Sequence, residues 1–248
     1  MEAIQEWNTP HRAHRITRHT FTKRELASSE LGLDMEGREI PLPPDSSARL
    51  ENEFYTLQYL RKNTKIPVPI PVELTKKDGI VTLTTSCVQH DAVALSDYAE
   101  RDRDFVIEEV ERELTLEIIP ALQRETSKHM GGLNKDERLL VPPRVTDYSG
   151  KEWPRFTSEE RCFVLCHNDL GQANIFIHPI THRILAIVDW EYAGFYPPQF
   201  EAQLWRFHPR EQDWNAHRPA ELCYLLEEIS RAKVASSSRV PLQVDIKT

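Results

Sequence analysis

Residues 166–194, CHNDLGQANIFIHPITHRILAIVDWEYAG, constrain this chain more than any other stretch. Two polar clusters sit among apolar runs: residues 163–165 before the first, 175–177 between the two, and 184–188 leading into the second. Short apolar runs rich in β-branched residues and bounded by turn formers make buried strands. Asn174 then stands where one strand begins and Asp189 where the next one ends. A hairpin turning near residues 178–183 returns both side chains to the same end. Two oxygen acceptors with no base between them suit a hard divalent cation such as Mg2+. Asp169, one short loop away, is left to handle a substrate proton. The spacing H-x-D-x-x-x-x-N arises by chance in about one or two per cent of chains of this length. An aspartate at the following strand end makes coincidence rarer still.

The octapeptide HNDLGQAN resembles the catalytic loop of the protein-kinase-like phosphotransferases, which reads H-R-D-L-x-x-x-N in protein kinases. IVDWEYAGFYP resembles the metal-binding segment of the aminoglycoside phosphotransferase and choline kinase branch, where D-W-E replaces D-F-G. Together the two are most similar to fungal proteins of the aminoglycoside phosphotransferase family. The resemblance implies an α+β, protein-kinase-like fold of two lobes. The small N-terminal lobe holds a β-sheet and one helix, and the larger C-terminal lobe is mainly α-helical. It also implies transfer of the γ-phosphate of ATP or GTP, with Mg2+, to a hydroxyl of a small molecule. Asp169 would accept a hydrogen bond from the attacking hydroxyl and take its proton late. Asn174 and Asp189 would hold Mg2+ between the phosphates. His167 would brace the loop rather than transfer protons, with Trp190 and Glu191 supporting the metal segment.

Taken in order, residues 1–14 are polar and are expected to be irregular. Residues 15–23, RITRHTFTK, alternate enough to form one strand ending at Lys23. TFTKREL resembles the family's third small-lobe strand, whose lysine contacts the α- and β-phosphates, which makes Lys23 the candidate. Residues 28–48 are rich in Ser, Gly and Pro and read as loop, with Asp45, Ser46 or Ser47 placed to cap a helix. That helix carries Leu50, Phe54, Leu57, Tyr59 and Leu60 mostly at helical spacing and ends before Pro67. ENEFYTLQYLRKNTKIPVP resembles the family's pattern of a helix followed by IPVP, which makes Glu53 the partner of Lys23. Two strands flanking the turn KKDG lead to Ser86, Cys87 and Val88. Here the family's inter-lobe hinge offers backbone groups to the nucleotide base, so Ser86 and Val88 are the candidates for base contacts. The boundary between lobes is expected near residue 90, giving units of 1–90 and 91–248.

Residues 100–129 make the clearest helix, with Val106, Ile107, Val110, Leu114, Ile118 and Leu122 on one stripe. Acidic residues from Glu100 and Asp102 to Glu113 crowd its first half, where the helix dipole favours them. Pro120 predicts a kink, and Gly131 and Gly132 its end. Residues 133–161 lack a clear period and are expected to form a mobile connection. Residues 221–234 suit a final helix, and the tail from Ser236 is expected to fray.

The net charge of −8, from 39 acidic against 31 basic residues, disfavours nonspecific nucleic-acid binding, which needs a basic face. The four cysteines form no C-x-x-C and no secretory leader precedes them, so they read as reduced thiols of a cytoplasmic protein. Cys162, Cys166 and His167 do not make a zinc site, which needs four soft ligands at closer spacing. No apolar run approaches the roughly 18 residues of a membrane span.

One departure from the family stands out. Only 14 residues precede Arg15, without a glycine among them, whereas the usual small lobe has two strands and a nucleotide-covering loop before the lysine strand. At typical strand lengths of about five to six residues this leaves no room for a full hairpin. The phosphate lid is then expected to be shortened, missing or supplied by residues 24–45. This motivates the competing reading of a kinase-like nucleotide-binding or scaffold protein impaired in catalysis. A third reading, a metal-dependent hydrolase using His167, Asp169 and Asp189, rests on the same residues.

Overall fold

The computed structural model describes residues 5–43, 45–89, 91–98, 103–134, 139–209 and 219–236. Strands β1 (Gln5–Asn8) and β2 (Arg12–Ile16) pair antiparallel, with Trp7 opposite His14. Thr9 closes the three-residue link between them. Its N–H donates to the Arg12 carbonyl at 2.8 Å, and its hydroxyl accepts from the Arg12 N–H at 3.1 Å. A threonine thus does locally what a glycine turn does elsewhere. The expectation that residues 1–14 are irregular, and that no hairpin fits before the lysine strand, is therefore corrected. Strands of four and five residues on so tight a link need less chain than the usual strand length implies.

Strand β3 (Thr20–Glu25) pairs with β2, placing Lys23 opposite His14. Residues 15–23 are consequently not one strand. A second turn interrupts them, held by the Thr17 N–H to the Thr20 carbonyl at 2.9 Å, and Lys23 lies inside the third strand. Helix α1 (Ser46–Asn63) follows the loop and buries Leu50 against Val81 and Leu83. Asp45 precedes it without a side-chain cap and faces Arg49 instead, at 3.7 Å. Strands β4 (Pro71–Lys77) and β5 (Ile80–Ser86) meet at Asp78 and Gly79, both with positive φ (51° and 83°), as a two-residue hairpin turn requires. The sheet order is β1-β2-β3-β5-β4, with α1 packed on its inner face. The boundary expected near residue 90 falls on His90, outside the described residues.

The described residues from β6 onward form the larger lobe. A short strand β6 (Val93–Ala94) precedes α2 (Arg103–Glu113), which runs through a wide π-turn (Leu114–Ile118) into α3 (Ile119–Arg124). Val106, Val110, Leu114, Ile118 and Leu122 are all buried in the main core. The stripe is as expected, but the helix ends at Arg124, where Glu125 turns extended, rather than at Gly131. Pro120 sits directly after the π-turn, at the start of α3. Glu100 and Asp102 lie outside the described residues, as does the tail beyond Ser236.

Strand β7 (Thr126–Ser127) then pairs with β8 (Phe163–Cys166). Residues 133–161, expected to form a mobile connection, are built into the lobe where they are described. They include α4 (Pro143–Ser149) and supply Leu139, Val141, Val145, Trp153 and Phe156 to a second core cluster. The missing signal is periodicity, since these apolar groups reach the core from irregular backbone. Strands β9 (Ile175–Ile177) and β10 (Ile184–Ile187) form the expected hairpin, closed by the His178 N–H to the Arg183 carbonyl at 3.0 Å. Strand β11 (Gly194–Tyr196) returns to β8, and α5 (Pro219–Ser236) packs on α4. No helix among the described residues is long and apolar enough to cross a membrane.

Candidate active site

The loop after β8 and the end of β10 meet because the β9–β10 hairpin folds back on itself. The Val188 N–H donates to the Asn174 carbonyl at 3.0 Å, bringing the base of one strand beside the tip of the other. Asn168 and Asp189 both adopt left-handed backbone (φ 69° and 65°). Such conformations persist in non-glycine residues only where surroundings over-determine them. Those surroundings are visible. The Asn168 amide donates to the Tyr192 carbonyl at 2.8 Å, and the Trp190 indole N–H donates to the Ile187 carbonyl at 2.8 Å.

His167 is fully buried, its ring 4.4 Å from that of Trp190. Nε2 donates to the Val188 carbonyl at 3.0 Å, and Nδ1 accepts from the Asp169 N–H at 3.2 Å. Only the neutral Nε2–H tautomer satisfies both bonds, and burial lowers the ring's pKa to about 4, which keeps it neutral. His167 therefore ties the catalytic loop to the strand end before Asp189. Both nitrogens being committed, it has none left for a metal, which removes the ground for the hydrolase reading.

Asp169 lies half-buried at the loop's tip. Burial, reinforced by the neighbouring charge of Asp189, pushes its pKa up to about 7. Arg144 opposes this. It is a buried side chain of α4 that donates to the Asn168 carbonyl and to the Phe200 carbonyl, the latter at 3.0 Å. The Asn174 amide nitrogen bonds the Asp169 carbonyl at 2.8 Å and its carboxylate at 3.3 Å. That leaves the Asn174 amide oxygen as the group facing elsewhere.

Lys23 bridges the lobes. Its ammonium lies 2.8 Å from Glu53 and 2.6 Å from Asp189, with side-chain exposures of 10%, 5% and 34% respectively. Burial alone would push Lys23 down, but the two carboxylates outweigh it and hold the ammonium above its ordinary range. Burial raises Glu53 to about 7 against the pull of Lys23. Asp189 goes the other way, because the shorter bond to Lys23 outweighs its own burial. Ser86 uses its N–H and hydroxyl on Ile70, at 2.8 and 2.9 Å, and Val88 lies partly buried just beyond.

Carboxylate oxygens of Glu53, Asp189 and Glu191 lie within 4.8 Å of one another. Glu53 is neutralised by Lys23. Glu191 sits between two buried arginines, Arg49 at 3.3 Å and Arg12 at 3.7 Å, so it is an ion-pair partner. Asp189 is paired with Lys23 too, but its side chain is 34% exposed, and with the Asn174 amide oxygen it offers hard-oxygen donors of the kind Mg2+ takes.

Several groups here carry no motif of their own and could not be singled out from the sequence: Arg12, Arg49, Asn52, Arg144 and Glu201. Glu201 accepts from the His167 N–H and is raised to about 7 by burial. Trp7, His14 and Phe21 stack on the inner face of the sheet, with Trp7 and His14 ring centroids 5.0 Å apart and nearly parallel. Strand alternation puts Arg12 and His14 on one face; the signal needed was the hairpin itself.

A family model described as the phosphotransferase enzyme family matches residues 92–222, a span that includes Asp169, Asn174 and Asp189. No curated protein matches the chain. Among solved structures, a thermostable mutant of aminoglycoside phosphotransferase APH(4)-Ia, in ternary complex with ADP and hygromycin B, is 14% identical with a TM-score of 0.52. That match covers 92% of this chain and 78% of the other. An aminoglycoside-3'-phosphotransferase of type VIII is 17% identical (TM-score 0.50), over 92% of this chain and 93% of its own. Aminoglycoside phosphotransferase APH(3'')-Id from Streptomyces rimosus is 16% identical (TM-score 0.50), over 96% and 87%. These likenesses establish the two-lobed, protein-kinase-like fold. The family model spans more than half of the 248 residues and takes in all of residues 166–194, so the chain belongs to the phosphotransferase enzyme family.

Proposed function

We propose that this protein transfers the γ-phosphoryl group of ATP or GTP to a hydroxyl of a small molecule, with Mg2+ as the metal. The observation that carries the reading is Lys23, which pairs with Glu53 of its own lobe and at once reaches Asp189 of the other. Phosphoryl transfer asks a protein for positioning and charge stabilisation above all. Lys23, held in place by Glu53, would meet the α- and β-phosphates. Asn174 and Asp189 would hold Mg2+, which supplies charge neutralisation at the phosphate oxygens when bound. Asp169 accepts the hydrogen bond of the acceptor hydroxyl and takes its proton. His167 and Arg144 keep that carboxylate in place. The base would lie at the end of β5, against the carbonyl of Ser86 and the backbone of Val88. Residues 1–90 serve as the nucleotide-side lobe and 91–248 as the lobe that binds the acceptor.

Titration calorimetry with Mg·ATP and Mg·GTP, followed by phosphate-release assays over a panel of small alcohols and aminoglycosides, tests this reading. Micromolar to millimolar nucleotide binding and turnover with at least one acceptor are expected. Asp169→Asn should lower turnover by about 10²- to 10⁴-fold while nucleotide still binds. Wild-type protein that binds neither nucleotide overturns the proposal.

A further inference from the structure

Asn52 stands next to Glu53 on α1 and is wholly buried. Its side chain reaches entirely into the other lobe. Nδ2 donates to the carbonyls of Glu191 at 3.0 Å and Ala193 at 2.8 Å. Oδ1 accepts from the N–H groups of Leu133 at 2.7 Å and Asn134 at 3.3 Å. A carboxamide has two donors and one oxygen with two lone pairs, so every capacity is used.

The four partners lie on two separate segments: the one after Asp189, and the loop after Gly132. The loop's close approach depends on that glycine, since a Cβ at Gly132 would meet Asn52 Oδ1 at 2.4 Å. A Cβ at Gly194 would likewise meet the Gly131 carbonyl oxygen at 2.5 Å. The two segments and the helix therefore converge on one amide. Nearby, Arg49 of the same helix bonds Glu191 and the Tyr192 hydroxyl, so α1 grips the metal segment at two points.

We infer that Asn52 is a positioning residue: it bolts the helix that carries Glu53 to the segment that carries Asp189. Lys23 then finds both carboxylates in place before any nucleotide arrives. Asn52 acts through backbone it holds and touches none of the proposed reacting groups. Its effect on turnover rests on the phosphotransferase reading; its mechanical role does not. Misplacement of catalytic groups by about 1 Å, caused far from the chemistry, costs about 10²-fold in rate.

Two variants attack the bolt from opposite sides. Asn52→Ala deletes it, whereas Gly132→Ala removes no polar group but drives a methyl into Oδ1. In the Asn52→Ala background the clash with Oδ1 is gone and the methyl keeps only its approach to Asn134 Oδ1 at 3.0 Å, so the two changes should add to much less than their sum. Leu57→Ala is the control, buried one turn along the same helix in the apolar core.

The experiment combines deuterium exchange of the nucleotide-free full chain with kinetics across a Mg2+ titration. Each bolt variant should speed exchange in residues 189–196. Each should lower kcat by about 10- to 100-fold and raise the Mg2+ concentration for half-maximal rate. The double variant should lie closer to Asn52→Ala alone than to the sum of the two losses. Leu57→Ala should lower the unfolding temperature and leave the Mg2+ requirement unchanged. If Asn52→Ala does not fold, Gly132→Ala carries the test. Unchanged exchange in residues 189–196, a wild-type Mg2+ requirement, or additive losses overturn the inference. A wild type without phosphotransfer sinks the proposed function, while the exchange data still decide the bolt.

Discussion

Asp169 holds a proton more tightly than an ordinary aspartate, at a pKa of about 7, because burial and Asp189 both disfavour its charge. A base works only when deprotonated, so kcat/KM should climb as pH rises through about 7 and level off above it. Arg144 pulls in the opposite direction, so Arg144→Gln should move this limb to higher pH. A rate profile whose acid limb lies near 4, or does not respond to Arg144, contradicts the assignment. Lys23 supports a second prediction. Lys23→Met leaves Glu53 and Asp189 facing each other with no cation between them. Stranding a buried charge costs about 3–5 kcal/mol, with the lower end expected here because Asp189 is a third exposed. Denaturant unfolding should show that loss, and adding Glu53→Gln to the same variant should recover part of it.

The β4–β5 turn shows how backbone conformation sets the stability of an element. Gly79 has φ of +83°, and a Cβ placed on it would meet nothing within 4 Å, so Gly79→Ala introduces strain without a clash. Urea titration should report a loss of about 1–2 kcal/mol with an unchanged slope. That turn was legible because Asp-Gly between alternating runs names its own geometry. The Lys23–Glu53 pair came only from the resemblance of TFTKREL and ENEFYTLQYLRKNTKIPVP to the family's pattern, whereas the β9–β10 hairpin was legible from its short apolar runs. The β1–β2 hairpin was not, because its turn is built by the Thr9 side chain instead of glycine and its outer strand is polar apart from Trp7. Residues 133–161 hid their role differently. Trp153 and Phe156 enter the core without repeating, so no window of sequence shows a period. Arg12 and Arg49 became readable only once Glu191 was seen between them.

At the scale of the whole molecule, the proposed nucleotide site lies where two lobes meet that already share apolar packing, since Leu57, Leu60 and Ile66 sit in the main core beside Leu95, Leu165 and Trp190. Mg2+ alone must compete with Lys23 for Asp189 and should barely shift the unfolding temperature. Mg·nucleotide at 100 times its Kd should add about 2.7 kcal/mol. For a chain of this size that is a rise of roughly 5–10 °C in a thermal scan. An equal shift from Mg2+ alone would speak against Lys23 as its competitor. The π-turn at residues 114–118 reaches further than its own helix. Val106, Val110, Leu114, Ile118 and Leu122 recur at intervals of four, and an uninterrupted α-helix would let such a stripe slip about 40° sideways at each step. One loosened coil winds that slippage back. Excising a single residue there would rotate everything downstream by about 100° and turn Leu122 out of the interior. Glu125, whose carbonyl anchors Leu165 of β8 at 3.0 Å, would swing with it. The number of residues in this helix, as much as their kind, thus aims the strand from which His167 and Asp169 hang.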